Sequence, residues 1–277
     1  MDFIIDVLNY EFLQRALLTA IVVGILCGVI GSFIILRGMS LMGDAISHAI
    51  LPGVAISYML GINYFIGAII TGISASMGIS FVNQKTKLKN DTAIGIVFSA
   101  FFALGVILLM KAQTAVDLSQ ILFGNVLTVP KSEMYLTIIV GLLVLLVVYL
   151  FYKELLITSF DETMAKAYGM NTKFYHYLLM LLLTLVTVVS LKTVGAILVV
   201  AMLITPAATA YLLTKKLSKM IFTSASIGAI SAIIGLWISV SYNLSTGPTI
   251  VLVSTFFFLL AFLYSARKTK KVVVIND

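Results

Sequence analysis

Charge is what this sequence has least of. Only 10% of its 277 residues are Asp, Glu, Lys or Arg, against 61% hydrophobic. A soluble domain is about a quarter charged. With a mean hydropathy of +1.14, too little polar surface remains to face water, so a soluble enzyme or scaffold is excluded. Cysteine is almost absent. Cys27 stands alone, which excludes an internal disulfide and any thiolate metal cluster. Within an apolar run it reads as a small packing residue. No G-x-x-x-x-G-K-[ST] occurs, so the chain has no P-loop with which to hydrolyse ATP. The start, MDFIIDVLNYEFLQRALL, lacks the basic n-region and small-residue cleavage site of a secretory signal, and the first apolar run is expected to stay as an uncleaved helix.

What the sequence has instead is apolar runs of about 20 residues, long enough to cross a bilayer core. Nine are read: 13–36, 41–60, 63–82, 92–110, 134–152, 174–191, 195–213, 219–241 and 249–266. The first and second runs are both candidates for a short or re-entrant segment. The fold class is all-α, a polytopic membrane protein with 8–9 transmembrane helices in one domain, 1–277. Small residues at helical spacing, as in GAIITGISASMG, allow membrane helices to approach closely.

Basic residues set the orientation. With the C-terminus inside and the runs alternating, fourteen of eighteen basic residues fall on the cytoplasmic side, among them Arg37, Lys85, Lys166 and Lys216. Arg15, Lys111, Lys131 and Lys192 fall outside. The positive-inside rule favours this arrangement and puts the N-terminus outside. The net charge of +7 then marks one membrane face. It calls for lipid, and no nucleic acid.

Two loops are long. Residues 111–133 lie outside, and their apolar centre LSQILFGNVLTV is too short to span; a half-helix at the outer mouth is expected. Residues 153–173 lie inside. There FDETMAKAYGMN reads as a short amphipathic helix. Asp161 and Glu162 sit in its first turn, where negative charge suits the helix dipole. Gly169 can end it by turning left-handed. Such a helix suits docking to a soluble partner, and an ordinary interfacial helix has the same pattern.

Asp44 and His48 are the ionisable residues placed well within a run. Four residues apart on a helix, they share one face. Ionisable groups at such depth face a protein interior or a wet cavity. A carboxylate oxygen and an imidazole nitrogen together can hold a first-row divalent metal. A structural hydrogen-bonded pair fits the same spacing, and two donors alone make an incomplete metal site. Pro52-Gly53 follows the pair, and Thr205-Pro206 interrupts the run 195–213. Proline frees a carbonyl, and broken membrane helices occur where they line a cavity. Both places are candidate helix breaks or pathway linings. His176, beside Tyr175 and Tyr177, reads as an interfacial residue at the cytoplasmic side.

Four stretches carry a resemblance: GDAISHAILPGVA, DLSQILFGNVL, SFDETMAKAYGM and VGAILVVAMLITPAATAYLL. In this order they resemble the permease subunits of bacterial ABC importers for manganese, zinc and iron, closest in look to the manganese permeases of Gram-positive bacteria. The resemblance implies a type II importer in the bacterial plasma membrane. It implies two permease copies around a central path, a separate ABC ATPase subunit that binds ATP, and an extracytoplasmic metal-binding lipoprotein. It implies that Asp44 and His48 contact the transported Mn2+, or Zn2+ or Fe2+, with no permanently bound cofactor. It further implies that Asp161, Glu162, Ala165, Ala167 and Gly169 belong to a coupling helix seated in the ATPase. An ion-coupled secondary transporter would want internal repeats, and none is evident. An intramembrane metalloenzyme would want a fuller ligand set such as H-E-x-x-H.

Overall fold

The computed structural model describes residues 7, 9–111, 124 and 126–273. Among them the regular structure is helical throughout. The helices are α1 Glu11–Leu36, α2 Met42–Ala49, α3 Leu51–Leu60, α4 Tyr64–Lys85, α5 Asn90–Lys111 and α6 Lys131–Leu150. They continue with α7 Tyr152–Phe160, α8 Glu162–Ala167, α9 Thr172–Val194, α10 Ala196–Leu213, α11 Leu217–Tyr242 and α12 Thr246–Val273. Side-chain caps start several of them. The Asn63 carboxamide oxygen accepts from the Phe65 N–H at 3.0 Å, and that of Asn171 from Phe174 at 3.1 Å, satisfying donors that a helix start leaves open.

Eight helices are long and apolar enough to cross a membrane: α1, α4, α5, α6, α9, α10, α11 and α12. The run 41–60 differs from the expected single span. It is two short helices meeting at Ile50. The cause is local: Pro52 has no N–H to give to the turn before it. Ile50 keeps a helical conformation (φ −77°, ψ −14°), so the path bends without unwinding. Thr71 of α4 donates its hydroxyl to the Ile50 carbonyl at 3.3 Å. At the next turn α3 meets α4 backbone to backbone, and a Cβ on Gly53 would overlap the carbonyl oxygen of Gly67.

The broken helix nevertheless crosses. His176 and Lys192 mark opposite ends of α9, about 24 Å apart along its axis. Arg37, just after α1, contacts His176. Tyr64, at the start of α4, lies under Lys192. The chain between Arg37 and Tyr64 therefore runs from one end of α9 to the other, beside the eight long helices found among the described residues. α2 forms the half toward Arg37 and α3 the half toward Lys192.

α1 and α9 form the centre, with 72% of the most apolar window of each buried; the figures are 28% for α5 and 22% for α12. Phe33, Ile30, Leu182 and Leu183 are fully enclosed, and the large side chains exposed on α6 and α12, such as Leu142, Tyr149 and Phe256, suit lipid contact. α10 runs unbroken through Pro206, which is buried, with Thr205 half-buried beside it. Thr209 donates to the Thr205 carbonyl at 2.7 Å and supports that turn. The half-helix expected around LSQILFGNVLTV lies mainly outside the described residues; within them is one short turn, Val126–Thr128.

Candidate functional site

α2 presents Asp44 in its first turn and His48 in its last, each at the helix end whose dipole favours its charge. Nε2 of His48 stands 3.5 Å from Oδ1 of Asp44. That is longer than a good hydrogen bond, so the two groups face each other without closing on each other. The Asp44 side chain is 46% exposed and that of His48 21%. Two rings of α5 pack on the imidazole: Phe98 at 5.6 Å, tilted, and Phe102 at 5.5 Å, edge to face. The rings are four residues apart and stacked on each other. They fix the plane of the imidazole while leaving the side toward Asp44 open. Neutral histidine and carboxylate in this geometry can share a divalent metal. Among the described residues no third His, Cys, Asp or Glu joins them, so one chain supplies two donors of such a site.

A second polar cluster lies at the Arg37 end. Nε of Arg37 donates to Ser159 Oγ at 3.0 Å, and Nη2 donates to Thr158 Oγ1 at 2.9 Å. Nη1 lies 3.4 Å from Nδ1 of His176. Nε2 of His176 lies 2.8 Å from Ser80 Oγ. Arginine only donates. Nδ1 of His176 therefore accepts, and Nε2 carries the proton toward Ser80. Burial pulls the Arg37 guanidinium down to about 10, the Glu162 charge acting the other way; it stays charged at neutral pH. The cluster borders a cavity of about 630 Å³ lined by Arg37, Asn83, Ser159, Glu162 and His176 among others.

Beside this cavity lies α8. Asp161 is its N-cap and accepts from the Met164 N–H at 2.9 Å. Gly169 ends it at φ +76°, with the Gly169 and Met170 N–H groups donating to Lys166 and Ala165 carbonyls. Glu162 pairs with Lys166 at 2.8 Å and accepts from Thr172 at 3.3 Å. The hydrogen bond from Lys166 holds the Glu162 carboxyl below the usual carboxylate range. Ala165 is buried and Ala167 exposed. Phe160 at the end of α7, Met164 on α8 and Tyr168 just after it are all strongly exposed.

At the opposite end, Lys192 pairs with Glu133 and sits 4.0 Å over the Tyr64 ring. Lys131 pairs with Glu11. These contacts join α4, α6, α9 and α1.

A family model described as the ABC 3 transport family matches residues 9–265. The chain belongs to that family. It is 65% identical over 268 residues to the manganese transport system membrane protein MntC of Listeria monocytogenes, covering 97% of this chain and 96% of that one. It is 55% identical to the manganese import system permease protein ScaB of Streptococcus gordonii, covering 96% of each. Among solved structures it is similar to a chain of PsaBC from Streptococcus pneumoniae in complex with Fab, with TM-score 0.86, 55% identity and 94% of each chain covered.

The structure brings Asp44 and His48 face to face, and sets Asp161, Glu162, Ala165 and Gly169 on or beside one short helix. It does not bring Thr205 and Pro206 to the pair by any hydrogen bond. Sequence reasoning missed Phe98 and Phe102, which come from a distant helix and look like ordinary apolar residues. It missed the exposed apolar residues Phe160, Met164 and Tyr168 on and beside α8. Arg37 was weighed only as one more basic residue of its membrane face, although it sits at the end of an apolar run.

Proposed function

We propose that this chain is the membrane permease of an ATP-driven importer that carries manganese into a bacterial cell. One observation carries the reading: a facing carboxylate–imidazole pair on a broken membrane-crossing helix, in a member of a transport family whose near relatives are named for manganese. Asp44 and His48 contact the metal on its way through. Two donors are too few for a first-row ion, which takes four to six, so the remaining ligands come from water or from the same pair on a second permease copy. Such a homodimer sets the two α2 helices around a central path.

The Arg37 end is cytoplasmic and the Lys192 end extracellular, in keeping with the fourteen-to-four division of basic residues. The N-terminus is then outside and the C-terminus inside. The region 153–173 is the cytoplasmic coupling loop, and α8 its coupling helix. The exposed side chains of Phe160, Met164 and Tyr168 on and beside it offer apolar surface to a groove, along with the charges of Asp161, Glu162 and Lys166. With no P-loop of its own, the chain depends on a separate ATPase for ATP hydrolysis, and that subunit occupies this surface. An extracytoplasmic lipoprotein delivers the metal from outside. ATP binding closes the ATPase pair, α8 moves with it, and the open side of the path changes.

Imidazole binds metal only when neutral, so acid weakens the grip on the ion. Carboxylate plus imidazole also suits zinc and ferrous iron, because donor type separates these ions weakly. The test is uptake of radioactive manganese in cells carrying the complete transporter, with zinc and iron as competitors. Wild type is set beside Asp44→Asn and His48→Ala at matched membrane levels. Loss of uptake in both variants with the ATPase still bound is the expected result. Uptake equal to wild type in both would make the pair structural.

A further inference from the structure

The joint around Arg37 has a role that the transport reading leaves unassigned. α7 and α8 are separated by a single residue, Asp161, so the last turn of α7 moves with α8. That last turn contains Thr158 and Ser159, both held by the Arg37 guanidinium. Two hydroxyls are gripped by one planar fork, which transmits direction better than a single flexible contact does.

From Arg37 the chain reaches α2 through a stiff turn. Gly38 adopts φ +64°. Its N–H donates to Ile35 O and the Met39 N–H to Ile34 O, both at 3.1 Å, the bonding that closes a helix end firmly. Met39 and Met42 are buried, and Asp44 follows two residues later. At its far end α2 stops at the Ile50 joint, where Pro52 has removed a helical bond. α2 is thus a short piece tied to Arg37 at one end and set off from α3 by the break before Pro52 at the other. The cavity of about 630 Å³ beside the guanidinium leaves room for the cluster to shift. His176 and Ser80 extend the same bonds to α9 and α4.

We propose that Arg37 is a positioning residue for transport, passing movement of α8 through Thr158 and Ser159 to α2 and so to the metal pair. A half-buried charged donor that loses its partners is destabilised, so the cluster shifts as a unit rather than coming apart. The proposal rests on the reading of α8 as the coupling helix.

The test uses the complete transporter, permease with its ATPase and loaded lipoprotein, reconstituted in liposomes. ATP hydrolysis and radioactive manganese uptake are measured in the same vesicles, and the readout is manganese delivered per ATP. A residue that only holds the fold lowers both rates together and leaves that ratio alone. Arg37→Met is expected to keep hydrolysis while the ratio falls about tenfold. Arg37→Lys keeps the charge without the fork, and its ratio is expected to fall about threefold. If Arg37→Met does not assemble, Thr158→Val with Ser159→Ala removes the two acceptors and leaves the arginine; a fall of about threefold is expected. A wild-type ratio in the variant that assembles overturns the proposal. Glu162→Lys, run in parallel, reports on the α8 reading separately. If it leaves ATPase binding, hydrolysis and uptake intact, α8 is not the coupling helix and the relay falls with it. If it breaks coupling while the Arg37 variants keep the wild-type ratio, only the relay is wrong.

Discussion

The chain has two histidines, and they sit in opposite circumstances. His176 has both ring nitrogens engaged, by Arg37 and by Ser80. His48 meets Asp44 at 3.5 Å and otherwise two aromatic rings. A saturated imidazole is a structural joint. An imidazole packed between aromatic rings and facing a carboxylate across 3.5 Å has a nitrogen left for another partner, as the proposed metal role requires. Burial alone would not separate them, since both are half-buried; the side chain with more hydrogen bonds is the one with less chemistry left to offer.

Breaking His48 should have the largest effect. Loss even of residues that merely support metal ligands costs about 10–100-fold, so His48→Ala should lower manganese uptake by more than about 100-fold, measured in cells with the ATPase still bound. His176→Ala leaves the metal pair untouched. It strips one acceptor from a buried guanidinium at a cost of about 1–3 kcal/mol, so the detergent-solubilised complex should melt several degrees lower while manganese still binds. Gly53→Ala tests the crossing that holds His48 in place: its Cβ would overlap the Gly67 carbonyl, and overpacking of this kind costs about 1–3 kcal/mol. Reduced membrane abundance and a lower melting temperature are expected, with uptake per molecule less affected.

Phe102→Ala frees the imidazole on one side. A misplaced ligand should raise the manganese KM several-fold with less change in maximal rate, and Phe102→Leu should recover part of the loss. The smallest effect concerns Glu162. Its carboxyl is held low by Lys166, so whatever the pair contributes is fully present above the ordinary carboxylate range and is lost only as pH falls through the lowered value. Glu162→Gln removes that contribution at every pH, so uptake should fall less steeply than in wild type as pH drops below the ordinary carboxylate range.

Much of this was legible in the sequence for one reason: lipid forces apolar runs of set length. Eight of the nine runs are long helices among the described residues, and Pro52-Gly53 marked the run that breaks. The i, i+4 spacing of Asp44 and His48 placed both on one face before any coordinates were known. The surroundings of the pair were not legible. Phe98 and Phe102 lie some 50 residues further along, and in a membrane helix nothing in the local pattern separates a phenylalanine facing lipid from one facing an imidazole. Arg37 was hidden for a different reason. It bonds to residues 121 and 122 positions away, and as one basic residue among many on its membrane face it matched a rule that asks nothing about partners. The apolar residues on and beside α8 were equally hidden, because in a chain this hydrophobic three more large apolar residues carry little signal until their exposure is seen.

The central claim is that His48, and not His176, touches the transported metal. Manganese(II) is paramagnetic, so electron–nuclear double resonance on the purified transporter loaded with manganese reads the nitrogen bound to it. The account predicts an imidazole nitrogen coupling in wild type that persists in His176→Ala and disappears in His48→Ala. A coupling that survives in His48→Ala, or one that vanishes only in His176→Ala, would contradict it.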